Sequence, residues 1–173
     1  MKVAIIYKSL TGNTKLIAEA IQDAVKNQEL VYIGEPAENI NADIYFVGSW
    51  IDKGSCTKEI SAFLNTLNGK KIAVFATAGF GGSLEYYEML FERIKAQISE
   101  TNDILGKFFC QGKMPMSVRD RYVSMLREHP DDKKLEVNLQ NFDEALSHPN
   151  EADLKETAEW VYEIVKKIEV KEN

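Results

Sequence analysis

Apolar residues in this chain alternate between short unbroken runs and longer stretches where they recur every three or four positions. "KVAIIY" at 2–7 and "DIYFVG" at 43–48 are unbroken runs, the pattern of strands buried on both faces. "LVYI" at 30–33, "KKIAVFAT" at 70–77 and "ILGKFFCQG" at 104–112 read as three further strands. The intervening stretches have helical spacing. One helix starts near Asn13, with Leu16, Ile17, Ala20, Ile21, Ala24 and Val25 on its stripe. A second starts near Thr57, carries Ile60, Phe63, Leu64 and Leu67, and ends at Asn68-Gly69. A third is defined by Leu84, Tyr87, Leu90, Phe91, Ile94 and Ile98.

Strands alternating with helices predict an α/β doubly wound five-stranded parallel sheet. In such sheets ligands sit beyond the carboxyl ends of the strands. Loops 8–14, 49–57, 77–84 and 110–116 therefore bear inspection.

The rhythm breaks over 113–148. "SVRDRYVSMLREH" reads as a short helix, and "PDDKKLEVNLQNFDEALSHP" as a polar surface loop. Regularity returns in "NEADLKETAEWVYEIVKKI" at 150–168. Asn150 is placed to cap it, Glu151 and Asp153 stand in its first turn, and Lys166 and Lys167 in its last. Its expected buried stripe is Leu154, Ala158, Val161, Val165 and Ile168.

A chain of 173 residues suits one core, so residues 1–173 read as one domain carrying an insertion at 113–148. The net charge of −6 argues against nucleic acid and anionic membranes as partners. No apolar run is long enough for a membrane span, and "MKVAIIY" is too short for a signal-peptide core. The expected compartment is the cytoplasm. Cys56 and Cys110 form no CxxC pair, and His129 and His148 each precede a proline, so no metal site is expected. Neither cysteine has an adjacent base to make it a nucleophile.

Candidate chemistry concentrates in three loops. Ser9, Leu10, Thr11, Gly12, Asn13 and Thr14 join the first strand to a helix start, where unpaired N–H groups and the helix dipole favour an anion. The loop lacks the lysine of a Walker A motif and the G-x-G-x-x-G spacing of a dinucleotide fold. It reads as a hydroxyl-rich helix cap, a cradle for a terminal phosphomonoester, or both. In the second loop, Trp50 offers either a flat stacking face or core packing. In the third, Gly79, Gly81 and Gly82 let backbone approach a ligand closely. Phe80 there covers a ring, faces solvent or folds back on the core.

"S-L-T-G-N-T" after the first strand resembles the phosphate loop of flavodoxins, which bind flavin mononucleotide (FMN). The resemblance continues through "VGSWIDKGSCTKEISAFLNTL", "FATAGFGGSLEYYEMLFERI" and "FFCQGKM". It implies strand order 2-1-3-4-5 and FMN as cofactor. It implies phosphate contacts from Ser9, Thr11, Asn13 and Thr14, with backbone N–H groups from Leu10 and Gly12. It implies a ring-facing loop of Ser49, Trp50, Ile51, Asp52, Lys53 and Gly54. A second ring-facing loop is Thr77, Ala78, Gly79, Phe80, Gly81 and Gly82.

The second loop departs from the family. β-Branched Ile51 stands after the Trp, where flavodoxins often carry a small residue, and it resists positive φ. A backbone flip there would move to Gly54 or be lost, which favours two-electron behaviour. Lys53 stands either in solvent or as a cation near the ring.

The resemblance implies a redox carrier that docks on a partner enzyme. The alternative is an FMN oxidoreductase acting on a quinone or a tetrapyrrole, with 113–148 shaping its pocket. "GSWIDKGSCT", "CQGKMP" and "SHPNEADL" are similar to a subgroup of accessory proteins associated with bacterial bilirubin reduction.

Overall fold

The computed structural model describes residues 1–172, with side chains through Val170. Strand β1 (Lys2–Lys8) leads through α1 (Asn13–Ala24) to β2 (Glu29–Gly34). β3 (Ile44–Trp50) and β4 (Lys71–Ala78) flank α2 (Lys58–Leu64), and α3 (Leu84–Lys95) leads to β5 (Asp103–Gln111). α4 (Met116–Glu128), α5 (Lys133–Ala145) and α6 (Glu151–Glu172) follow. The strands pair in parallel in the order β2-β1-β3-β4-β5, as the resemblance implies.

Side chains alternate across the sheet with the period of two that strands impose. Val3 and Ile5 of β1 face one layer with Ile17 and Ile21 of α1 and Val161, Ile164 and Ile168 of α6. Ala4 and Ile6 face the other layer with Ile60 and Leu64 of α2 and Phe91 and Ile94 of α3. Helices thus cover both faces, and every strand's carboxyl end opens on one side of the molecule. Among the described residues, no helix is long and apolar enough to cross a membrane.

Several expectations are corrected. The segment read as a surface loop contains α5, capped by Asp132, whose side chain accepts from the N–H groups of Lys134 and Leu135. Its stripe of Leu135, Phe142 and Ala145 is buried. α2 stops at Leu64 rather than Asn68-Gly69, and α3 stops at Lys95. Leu84 is 84% exposed: as the first residue of α3 it stands beyond the strand ends, with no core beneath it. Leu16 and Ala158 also face solvent. In α6 the buried seam is Thr157, Val161, Ile164 and Ile168. Thr157 takes the place expected of Ala158 because its hydroxyl donates to Asp153 O at 2.7 Å, leaving only methyl surface to bury. α6 runs on to Glu172, so Lys166 and Lys167 lie inside it. Asn150 does cap it, its Oδ1 accepting from the N–H groups of Ala152 and Asp153.

Candidate cofactor site

The β1–α1 loop ends in a helix start without a side-chain cap. Gly12 takes a left-handed conformation (φ 88°), and no atom lies within 4 Å of where its Cβ would be. Among the described residues, the backbone N–H groups of Leu10, Thr11, Gly12, Asn13 and Thr14 meet no acceptor. Ser9 Oγ accepts from Lys15 N–H at 3.3 Å, which leaves its own proton free. The result is a concave row of donors at the positive end of a helix.

The side chains of Asn13 and Thr14 point inward. Asn13 Nδ2 donates to Thr11 Oγ1 at 2.9 Å and to Lys113 O at 2.8 Å. Its Oδ1 is buried without a partner among the described residues. Thr14 and Thr77 share a buried hydroxyl–hydroxyl bond of 2.9 Å. The amide protons of Asn13 are therefore committed to the fold, and the outward donors are backbone N–H groups and the hydroxyls of Ser9 and Thr11.

Trp50, at the end of β3, is half-buried and walls two cavities. One, of about 270 Å³, is lined by Leu10, Thr11, Asn13, Trp50, Thr77, Ala78 and Gly79. It is closed by Gly112, Lys113, Met114, Pro115 and Val118. The other, of about 300 Å³, includes Ser9, Leu10, Trp50 and Asp52. Ser49 is buried: its Oγ accepts from Thr57 N–H at 2.9 Å and donates to Trp50 O at 2.7 Å, which ties the ends of the loop. Ile51 N–H donates to Thr77 O, extending the β3–β4 pairing past Trp50. Asp52 and Ser55 pair reciprocally across Lys53 (φ 50°) and Gly54 (φ 82°). Positive φ at both central positions is the signature of a type I′ turn. The left-handed backbone therefore lies past Ile51, as its branched side chain requires. Lys53 is exposed and lines neither cavity. Gly54 O accepts from Arg93 Nη1 at 3.3 Å.

Thr77, Ala78 and Gly79 floor the smaller cavity, whereas Phe80, Gly81 and Gly82 lie outside it. Met114 packs so closely on Gly79 that a Cβ there would stand 2.5 Å from its sulfur. Residues the sequence did not single out complete the arrangement. Asn141 Nδ2 donates to Gly79 O at 3.0 Å, and Asn141 Oδ1 accepts from Gly81 N–H at 3.4 Å. Gln111 Nε2 donates to Asn141 Oδ1 at 3.0 Å and to Gly79 O at 3.2 Å. Asn141 lies on α5, within the segment expected to be a surface loop.

Tyr87 stacks tilted on Phe109, 5.8 Å between centroids, and burial pushes its phenol upward. Burial also raises the thiols of Cys56 and Cys110. None of these groups is poised to act as a base or nucleophile at neutral pH.

Residues 4–162 match the model of the flavodoxin domain. The chain belongs to the flavodoxin domain family. It is 39% identical to the flavodoxin-like domain-containing protein BilS of Clostridioides difficile, over 91% of this chain and 93% of that one. It is 35% identical to BilS of Clostridium symbiosum, over 89% and 90%. Its fold is similar to that of oxidised flavodoxin 2 from Bacillus cereus, with a TM-score of 0.59 and 16% identity over 96% of this chain and 99% of that one.

FMN, the cofactor of flavodoxins, fits what this flavodoxin domain presents. Unpaired N–H groups at a helix N-terminus suit a phosphomonoester dianion. The buried, unpartnered Asn13 Oδ1 is an acceptor in need of a hydroxyl donor. The face of Trp50 and the Thr77–Gly79 backbone, which line one cavity, suit a flat ring.

Proposed function

We propose that this flavodoxin domain holds FMN non-covalently and carries electrons to a partner redox enzyme in the cytoplasm. The chain would act as one unit, with 113–148 as an insertion. The observation that carries the reading is the row of unpaired N–H groups from Leu10 to Thr14 at the mouth of the cavity walled by Trp50. The phosphate would rest on those groups and on the hydroxyls of Ser9 and Thr11. Asn13 and Thr14 would contribute backbone N–H groups while their side chains hold the loop. The ring would lie between Trp50 and the Thr77–Gly79 floor, with Ile51, Asp52, Lys53 and Gly54 along one edge and Phe80, Gly81 and Gly82 along another. Bound there, FMN supplies reversible electron storage. The protein supplies position and shields the ring from water.

The carrier reading is supported by membership of the flavodoxin domain family. Similarity to BilS proteins supports a partner in bilirubin or another tetrapyrrole reduction. One observation favours the alternative of an FMN oxidoreductase acting itself on a quinone or tetrapyrrole. Met114, Pro115 and Val118 from the insertion add an apolar wall, which a planar organic substrate would use.

Titration of the apoprotein with FMN and with riboflavin tests the core of the proposal. Hydrogen bonds to a charged group contribute about 1.5–3 kcal/mol each. Losing the phosphate should therefore weaken binding by about a hundredfold or more. Equal affinity for the two flavins defeats the phosphate assignment. NADH oxidation with quinone or bilirubin, with and without a flavin reductase, then separates the readings. Turnover that needs the added enzyme supports the carrier.

A further inference from the structure

The side chain of Asn141 treats the β4–α3 loop as a neighbouring strand would. It donates to the carbonyl of Gly79 and accepts from the N–H of Gly81, the two groups that bracket Phe80. Gln111, at the end of β5, backs both contacts through Nε2. Asn141 is itself anchored. Phe142, the next residue, is fully buried, and Asp143 pairs with Arg119 of α4 at 3.0 Å. The amide orientation of Asn141 is fixed by its partners, a carbonyl on one side and two N–H donors on the other.

This grip has a stereochemical consequence. In a trans peptide the C=O and the following N–H point in opposite directions. Holding the Gly79 carbonyl toward α5 therefore turns the Phe80 N–H away from α5. That N–H has no acceptor among the described residues. Glycine at 79 and 81 leaves the loop free to take other conformations, so the direction of this dipole is set by Asn141 and Gln111.

We propose that Asn141, supported by Gln111, is a positioning residue for the flavin: it orients the 79–80 peptide and so sets how strongly the site prefers one redox state of the ring. The inference rests on the FMN reading above. It gives the 113–148 insertion a defined task, since α5 and Gln111 of β5 together hold this loop.

Three preparations test it: wild type, Asn141→Ala, and Asn141→Asp. The Asp variant keeps the shape and the acceptor but loses the donor to Gly79 O. Without flavin, amide exchange at Gly81 is expected to speed up at least tenfold in Asn141→Ala. With FMN, both variants are expected to change the ratio of affinities for reduced and oxidised flavin about tenfold. This reads as a shift of about 30 mV in the two-electron potential. The FMN-to-riboflavin affinity ratio should stay as in wild type, because the phosphate end is untouched. If Gly81 exchange is unchanged, the grip does not exist. If exchange rises while potential and affinity stay within twofold, the grip is real but irrelevant to the flavin. Either result overturns the inference. A wild type that binds no FMN overturns the flavin reading and this inference with it, and is distinguished because it needs no variant.

Discussion

Asn13 and Lys113 lie 100 residues apart in sequence and are joined by a 2.8 Å hydrogen bond from Asn13 Nδ2 to the Lys113 carbonyl. The bond fastens the first loop of the fold to the start of the insertion. Lys113 N–H in turn donates to His148 O at 3.0 Å, so both ends of the insertion meet at this point. Asn13→Ala removes the amide and leaves a carbonyl without its donor, a loss of about 1–3 kcal/mol. Chemical denaturation should show a lower midpoint. Flavin titration should show weaker binding, since the helix start loses its support.

Trp50 and Trp160 are the two tryptophans of the chain. Trp160 packs against the core, its ring 5.6 Å from Phe46, and its buried Nε1–H has no partner among the described residues. Trp160→Phe therefore removes no hydrogen bond and leaves Trp50 as the sole indole reporter. FMN should still quench that fluorescence strongly. Trp50→Ala should lose the quenching that Trp160→Phe retains and bind FMN about tenfold more weakly, roughly 1.4 kcal/mol. Trp50→Phe should recover most of the affinity.

Gly48 of β3 sits in register with Phe75 of β4. A Cβ on Gly48 would stand 2.1 Å from the buried Phe75 ring. The ring has nowhere to retreat, because it is fully enclosed. Gly48→Ala should cost about 1–3 kcal/mol. A urea titration should give a lower midpoint with an unchanged slope.

The buried thiols contribute to the alkaline behaviour, in the same sense as the raised Tyr86 and Tyr87 phenols. Cys110 is raised chiefly by burial, with Asp153 and Glu156 adding to it, and Cys56 is raised chiefly by burial. Below the ordinary value of 9.0 both folded and unfolded chains keep these protons, and the stabilisation is fully present. As pH rises above 9.0 the unfolded chain releases them first, so stability falls until the folded thiols ionise. The slope approaches about 1.4 kcal/mol per pH unit for each thiol. Cys110→Ala should flatten the fall between about pH 9 and 10.5 in denaturation measured across that range.

Strands and their buried faces were legible because a strand covered on both sides leaves an unbroken apolar run, as in 2–7 and 43–48. Asn13 as the helix start was equally clear. α5 was not, because lysines and aspartates at its start hid a stripe whose apolar members, Leu135, Phe142 and Ala145, are widely spaced. Its capping aspartate and that stripe were the available signals. Thr157, not Ala158, is the buried member of the α6 seam, because a threonine that satisfies its own hydroxyl is effectively apolar. In the site, sequence pointed to the loops but not to how their donors are used. Hydroxyls and amides that look free in a motif, such as those of Thr14 and Asn13, are committed to contacts with residues 63 and 100 positions away. Asn141 and Gln111 act on backbone, which leaves no motif to find.

Trp50 is a partition shared by two chambers of similar size, about 270 and 300 Å³. Because one indole separates them, truncating it would merge the two chambers into a single larger cleft.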